Sequence, residues 1–210
     1  MNPQSDYAQS ALFFAVLKIL RGGSVTGSIQ DEIFLLPRLS FVVGGARSGK
    51  SGFAERLITG SGRPRRYIAT AQAWDDEMRA RIDRHRLDRG TGWTTVEAPL
   101  DLCAALADCP PDAAVLVDCA TLWLSNHLLA EHDLDAECTR LLAALADCPA
   151  PVTVVSNEVG WGIVPDNALA RAFRDAQGRL NQRLAAQSGL VVGVMAGLPM
   201  VLKGTLPPWM

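Results

Sequence analysis

From Leu39 onward the chain alternates between two hydrophobic rhythms. Short, nearly uninterrupted apolar runs occur at Phe41-Val42-Val43, Tyr67-Ile68-Ala69, Ala113-Ala114-Val115-Leu116-Val117, Val152-Thr153-Val154-Val155 and Leu190-Val191-Val192-Gly193-Val194. A strand with one wet face alternates apolar and polar residues, and these do not. They predict strands covered on both sides. Between them the spacing lengthens to three and four. Leu169, Phe173, Ala176, Leu180 and Leu184 fall on one face of a helix over 168–187, with Pro165-Asp166-Asn167 in front to cap it. Leu134, Cys138, Leu141, Leu142 and Leu145 predict a second helix over 134–146, and Phe53, Ala54, Leu57 and Ile58 a third. Another helix is expected to begin near Thr121. Strand-helix alternation of this kind predicts an α/β fold, a mostly parallel central sheet between helices in a three-layer sandwich. No internal repeat and no linker divides it.

Residues 1–38 stand outside this rhythm and are expected to be an N-terminal extension, poorly ordered or a short surface helix. The domain proper is expected at 39–204, followed by a tail at 205–210. The apolar stretch Ala11 to Leu17 falls far short of a bilayer span, and with Asp6 as the charged side chain before it there is no basic leader to make a signal peptide. No stable membrane insertion is expected. A net charge of −2 lacks the basic excess of a nucleic-acid binder, so no nucleic-acid partner is expected either. Five cysteines with no paired spacing read as core thiols of a reducing, cytoplasmic compartment.

The chemistry starts where the first strand ends. Gly44-Gly45-Ala46-Arg47-Ser48-Gly49-Lys50-Ser51 fits G-x-x-x-x-G-K-[ST] without mismatch, with an apolar strand before it and a helical pattern after it. Glycines let successive backbone N–H groups turn inward around phosphates, and the N-terminus of the following helix adds positive potential. Lys50 is then the residue to reach the β- and γ-phosphates, and the Ser51 hydroxyl a ligand for Mg2+. Asp118, directly after the run Ala113–Val117, is the expected second Mg2+ ligand; the plain alternative is a cap for the helix beginning near Thr121.

Two absences narrow the class. No N/T-K-x-D element follows a later strand, where the chain reads Val155-Ser156-Asn157-Glu158-Val159-Gly160, and no LSGGQ-like signature occurs. A small-molecule kinase or nucleotidyltransferase is what remains. Between residues 79 and 89 lie five arginines, with His85 among them. One reading is a solvated helix face, supported by Asp75/Arg79 and Glu77/Arg81 at i,i+4 spacing. The other makes His85 a nucleophile toward an α-phosphorus, with the guanidinium groups stabilising charge on the phosphoryl oxygens.

At this point several motifs, in order, resemble one family. They are the Gly44–Ser51 loop; Tyr67-Ile68-Ala69-Thr70-Ala71; Asp76-Glu77-Met78 with Arg81-Ile82 and His85-Arg86; Trp93, Thr95, Glu97 and Pro99; Val117-Asp118-Cys119 with Thr121 to Asn126; Ser156 to Pro165; Phe173-Arg174-Asp175 with Gly178 and Asn181-Gln182; and Ala196-Gly197-Leu198-Pro199. The family is that of the bifunctional adenosylcobinamide kinases / adenosylcobinamide-phosphate guanylyltransferases, and the similarity runs from about Leu39 to Lys203. The resemblance implies phosphorylation of adenosylcobinamide by ATP or GTP, then transfer of GMP from GTP to that phosphate through a guanylylated histidine, which falls on His85. It implies nucleotide contacts at Ala69, Thr70 and Ala71, at Arg86, Leu87, Asp88 and Arg89, and at Glu97, with Asp118 near the phosphates and metal. It also implies a RecA-like P-loop sheet and a homotrimer.

Two alternatives are carried beside that expectation: a P-loop kinase with no guanylyl step, in which His85 merely positions phosphate, and a non-catalytic nucleotide-binding subunit. Asn157 and Glu158 either face the site or cap a loop. The polar face of the helix over 168–187, with Arg171, Arg174, Asp175, Arg179, Asn181, Gln182 and Arg183, is either a subunit or corrinoid contact or a solvated face. His127 and His132 are expected to have no chemical role. Trp123 and Trp161 read as packing aromatics, with lining of a substrate cleft the alternative for Trp161.

Overall fold

The computed structural model describes residues 36–72, 76, 79, 80, 84, 87 and 89–210. The expectations for residues 1–35, and for His85, Arg86 and Asp88, lie outside the described residues.

Seven strands form one sheet: β1 (Leu39–Gly44), β2 (Arg65–Ala69), β3 (Trp93–Glu97), β4 (Ala114–Asp118), β5 (Val152–Asn157), β6 (Leu190–Met195) and β7 (Leu198–Lys203), in the order β3-β2-β4-β5-β1-β6-β7. All neighbours pair in parallel except β6 with β7, which are antiparallel. The five apolar runs are the five inner strands, as their lack of alternation requires.

The helices whose bounds fall among the described residues are α1 (Lys50–Gly60), α2 (Leu102–Ala107), α3 (Ala120–Leu129), α4 (Leu134–Asp147) and α5 (Ala168–Gln187). Two cores result, one on each face of the sheet. On one face Phe53, Ala54, Leu57 and Ile58 of α1 meet Val42, Tyr67, Leu116, Val155 and Val192. On the other, Leu102 and Leu106 of α2, Trp123 and Leu124 of α3, Leu141 and Leu145 of α4 and Leu180 and Leu184 of α5 meet Phe41, Ile68, Val115, Val117 and Val154. This is the three-layer α/β arrangement expected. The last residues are part of it, since Leu206 and Met210 pack on the α1-side core.

Capping explains the helix boundaries. The Asn167 side chain accepts from the Ala170 N–H at 2.7 Å and starts α5; that of Asp133 accepts from Asp135 and Ala136 and starts α4. Two strands escape the pattern of apolar runs. β3 is a polar edge strand, Trp93-Thr94-Thr95-Val96-Glu97, and every residue of β7 is exposed. Leu169 also departs from expectation: it is 57% exposed, and full burial along α5 begins only at Ala176. No described helix is long and apolar enough to cross a membrane.

Candidate active site

A parallel sheet delivers every strand's carboxyl end to one edge, and that edge carries the predicted site. Register fixes the neighbours: Gly44 of β1 lies opposite Asn157 of β5, Asp118 of β4 opposite Val155, and Ala69 of β2 between Asp118 and Glu97.

The loop from Gly44 to Ser51 is shaped by backbone chemistry. A Cβ on Gly44 would run into the Val194 carbonyl oxygen and the Ser48 hydroxyl, so β1 enters the turn only as glycine. Gly49, at φ 92°, precedes α1 in the left-handed region, and Arg47 is left-handed too at φ 55°. Left-handed residues of this kind let backbone N–H groups turn toward the inside of a loop. α1 receives no side-chain cap, so its first-turn donors stay directed at the loop. Lys50 is nearly buried, and its ammonium donates to the Gly45 carbonyl at 3.1 Å across the loop. A second brace comes from far along the chain. The β6–β7 turn, Ala196-Gly197, is left-handed at both residues, and the Gly197 N–H donates to the Ser48 carbonyl at 2.8 Å. The Ala-Gly step between two apolar runs was the sequence signal for this turn; its target was not readable.

Asp118 does not cap α3: that position belongs to Cys119, which makes no side-chain cap bond. Pairing with Ala69 puts Asp118 on the α1 face of the sheet, one alternation beyond Leu116 and beside Tyr67. Burial first, and then the neighbouring Asp118 carboxylate, push the Tyr67 phenol well above its ordinary range, so it stays protonated as a donor toward Asp118. The Arg89 guanidinium lies 3.5 Å from the centroid of the same ring. Tyr67, absent from the expected site, therefore stands between two residues that belong to it.

The remaining predicted residues are placed unevenly. Ala69 and Ala71 flank the tip of β2, and Glu97 is exposed at the tip of β3. Thr70 is fully buried, and its hydroxyl donates to the Cys119 carbonyl at 2.7 Å while accepting the Cys119 N–H at 2.8 Å. Its side chain clamps β2 to the turn after β4. Asp76, Arg79, Ala80, Arg84, Leu87 and Arg89 are helical; Leu87 is 80% exposed and Arg89 half-buried. Arg79 pairs with Asp76 at 3.2 Å, whereas the expected pairs with Asp75 and Glu77 fall outside the described residues.

Beneath the edge lies a buried polar network. Ser156 donates to Asn181 Oδ1 at 2.8 Å, Gln177 Nε2 donates to Ser156 at 2.9 Å, and the hydroxyls of Thr121 and Ser156 lie 3.2 Å apart. The network grips Asn157 by its main chain: its N–H donates to Thr121 Oγ1 at 2.7 Å and its carbonyl accepts from Asn181 Nδ2 at 3.1 Å. Glu158 follows with its N–H on the Gly44 carbonyl, tying β5 to the loop. Asn181 thus points inward, against its expected place on the polar face of α5. Much of that face is accounted for locally: Arg171 bonds the Pro165 and Asp166 carbonyls and Arg183 bonds Thr139.

The other singled-out residues have structural explanations. Trp123 is buried with its indole N–H on the Leu100 carbonyl, as a packing aromatic should be, whereas Trp161 is 78% exposed. His127 is buried, 2.9 Å from His132 ring to ring and 3.2 Å from the Leu100 carbonyl. All five cysteines are free thiols, Cys103 alone being partly exposed.

A family model described as cobinamide kinase / cobinamide phosphate guanyltransferase matches residues 40–202. The chain is 48% identical over 166 residues to the bifunctional adenosylcobalamin biosynthesis protein CobP of Pseudomonas aeruginosa, covering 78% of this chain and 96% of that protein. It is 46% identical over 178 residues to the bifunctional adenosylcobalamin biosynthesis protein CobU of Salmonella typhimurium, covering 77% and 98%. Among solved structures, the flagellar accessory protein FlaH of Methanocaldococcus jannaschii superposes with a TM-score of 0.47 at 12% identity, covering 87% of each chain. The RadB recombinase superposes with a TM-score of 0.40 at 18% identity, covering 84% of this chain and 79% of that one.

Proposed function

The chain belongs to the cobinamide kinase / cobinamide phosphate guanyltransferase family, and from that membership we propose that it phosphorylates adenosylcobinamide with ATP or GTP and then transfers GMP from GTP to the new phosphate. The observation that carries the reading is the Gly44–Ser51 cradle at the carboxyl edge of the sheet, with Asp118 on the same face.

In the first step the cradle's amides and Lys50 hold the triphosphate, and the substrate hydroxyl displaces the terminal phosphoryl group from its diphosphate. In the second, the His85 imidazole attacks the α-phosphorus of GTP and pyrophosphate leaves. The phosphate of adenosylcobinamide phosphate then displaces the imidazole, giving adenosylcobinamide-GDP and regenerating His85. Ser51 and Asp118 are the residues to hold Mg2+: a hydroxyl and a carboxylate are hard oxygen donors, the set that ion takes together with phosphate oxygens. Bound there, Mg2+ neutralises charge on the transferring phosphate. Arg89, stacked on Tyr67, brings a fixed cation to the same edge.

The protein is further proposed to assemble as a homotrimer in the cytoplasm. Leu198, Met200, Val201 and Leu202 on the edge strand β7 are 44–70% exposed, which favours a subunit contact over a solvated edge.

The deciding experiment is incubation with α-labelled GTP. The full-length protein should acquire a label that is stable to alkali and lost in acid, as a phosphoramidate is. His85→Ala should take up none and retain phosphorylation of adenosylcobinamide, because phosphoryl transfer rests on positioning and Mg2+. Labelling of His85→Ala would remove the nucleophile from this reading, and equal loss of both activities would remove the division into two steps.

A further inference from the structure

The buried network under β5 is extensive for a strand end that carries only a loop. Ser156 and Gln177 are fully buried, Thr121 is 7% and Asn181 8% exposed, and Ser156 and Gln177 bond the Asn181 amide that, with Thr121, reaches Asn157. Burying polar groups is unfavourable unless they are bonded, and the bonds within this set restrain its members, although Gln177 Oε1 has no hydrogen-bond partner among the described residues. What it fixes is Asn157. The Thr121 hydroxyl takes its N–H and the Asn181 amide takes its carbonyl, so both flanking peptides are held. The next peptide is held as well, by the Glu158 N–H on the Gly44 carbonyl.

The side chain of Asn157 is not consumed by any of this. Along β5, Val155 belongs to the α1-side core and Ser156 to the network on the opposite side, so alternation returns Asn157 to the α1 face. That is the face bearing the phosphate loop and Asp118. Register places Asn157 opposite Gly44, the first loop residue, and two residues beyond Val155, the partner of Asp118. Its half-buried carboxamide therefore stands at the strand tip between the loop and the metal-binding carboxylate.

We propose that Asn157 is a substrate-contacting residue of phosphoryl transfer, its side-chain N–H donating to a non-bridging oxygen of the terminal phosphate, and that Thr121, Ser156, Gln177 and Asn181 are positioning residues that aim it. This rests on the kinase reading given above. The substrate hydroxyl oxygen bonds to phosphorus as the bond to the departing diphosphate oxygen breaks, and the hydroxyl proton passes to water. Negative charge on the non-bridging oxygens is met by a donor that needs no reorganisation, because its main chain is already held.

The test measures GTP affinity and the rate of GTP-dependent phosphorylation of adenosylcobinamide, using the full-length protein. Asn157→Ala should lower kcat by about a hundredfold to a thousandfold, as loss of one preorganised donor does, with the Kd for GTP within about threefold, since the loop remains. Asn157→Asp, which replaces the donor with a charge, should be at least as slow. Thr121→Val should lower kcat while Thr121→Ser restores it. Asn157→Ala combined with Thr121→Val should be no slower than Asn157→Ala alone, because a positioning residue acts through the group it positions. Wild-type kcat in Asn157→Ala overturns the proposal; losses that multiply in the double variant overturn the positioning role. If Thr121→Val does not fold, the outcome for Asn157→Ala and Asn157→Asp still decides the contact. Lys50→Ala separates this from the underlying reading: full turnover there sinks the kinase assignment, whereas an inactive Lys50→Ala beside a fully active Asn157→Ala sinks only the role of Asn157.

Discussion

Tyr67 shows how much a single side chain does at the edge of the sheet. Its ring carries the Arg89 guanidinium, and its protonated hydroxyl faces Asp118. Tyr67→Phe keeps the ring and removes the donor, so the stack survives while Asp118 loses a restraint. A hydrogen bond to a charged group contributes about 1.5–3 kcal/mol, and turnover dependent on Mg2+ should fall by about tenfold with GTP affinity little changed. Unaltered turnover at every Mg2+ concentration would mean that Tyr67 does not hold Asp118. At this scale legibility followed locality. Gly44 to Ser51 could be read as a loop between strand and helix because eight consecutive residues carry the whole geometry, and the place of Asp118 at a strand end because an apolar run precedes it. Tyr67 looked like one more apolar strand residue, and Asn181 like part of a wet helix face. Their roles depend on partners in distant elements, Asp118 for the first and Ser156 and Asn157 for the second.

Among the elements, strands covered on both faces announced themselves and edge strands did not. β3 and β7 have no need to be apolar throughout, since each has a neighbour on one side only. Helices were legible where apolar residues recur at three- and four-residue steps, as in α1, α4 and α5. The junction of α3 and α4 adds an acid-sensitive feature. Burial, above all, lowers the pKa of His127 below the ordinary 6.5, opposed by its bond to the Leu100 carbonyl and the charge of Glu137, and reinforced by His132 and Arg140. In the unfolded chain His127 takes up a proton near its ordinary value; in the folded protein it resists. Its contribution to stability is therefore fully present above about pH 6.5 and declines as pH falls toward the lowered value. Denaturant midpoints taken at pH 7.5 and pH 5.5 should drop less on acidification in His127→Gln than in wild type. Identical drops would show that His127 is not the group responsible.

The described part of the molecule places its chemistry on one edge and an unpartnered apolar surface on another. The outermost strand β7 presents Leu198, Met200, Val201 and Leu202 to its surroundings. If this strand is where copies meet, a charge upon it should separate them. Wild type should sediment at three times the mass of a single chain, and Leu198→Glu with Val201→Glu should sediment as one chain while keeping the helical and strand content of the fold. A wild type that sediments as a single chain at micromolar concentration would remove the trimer.

The hydrogen bond from Gly197 to Ser48 joins one of the last turns of the chain to a loop near its beginning. Synthesis reaches Ser48 well before Gly197, so the glycine-rich segment acquires this brace only after the β6–β7 hairpin has been made and has folded back against it.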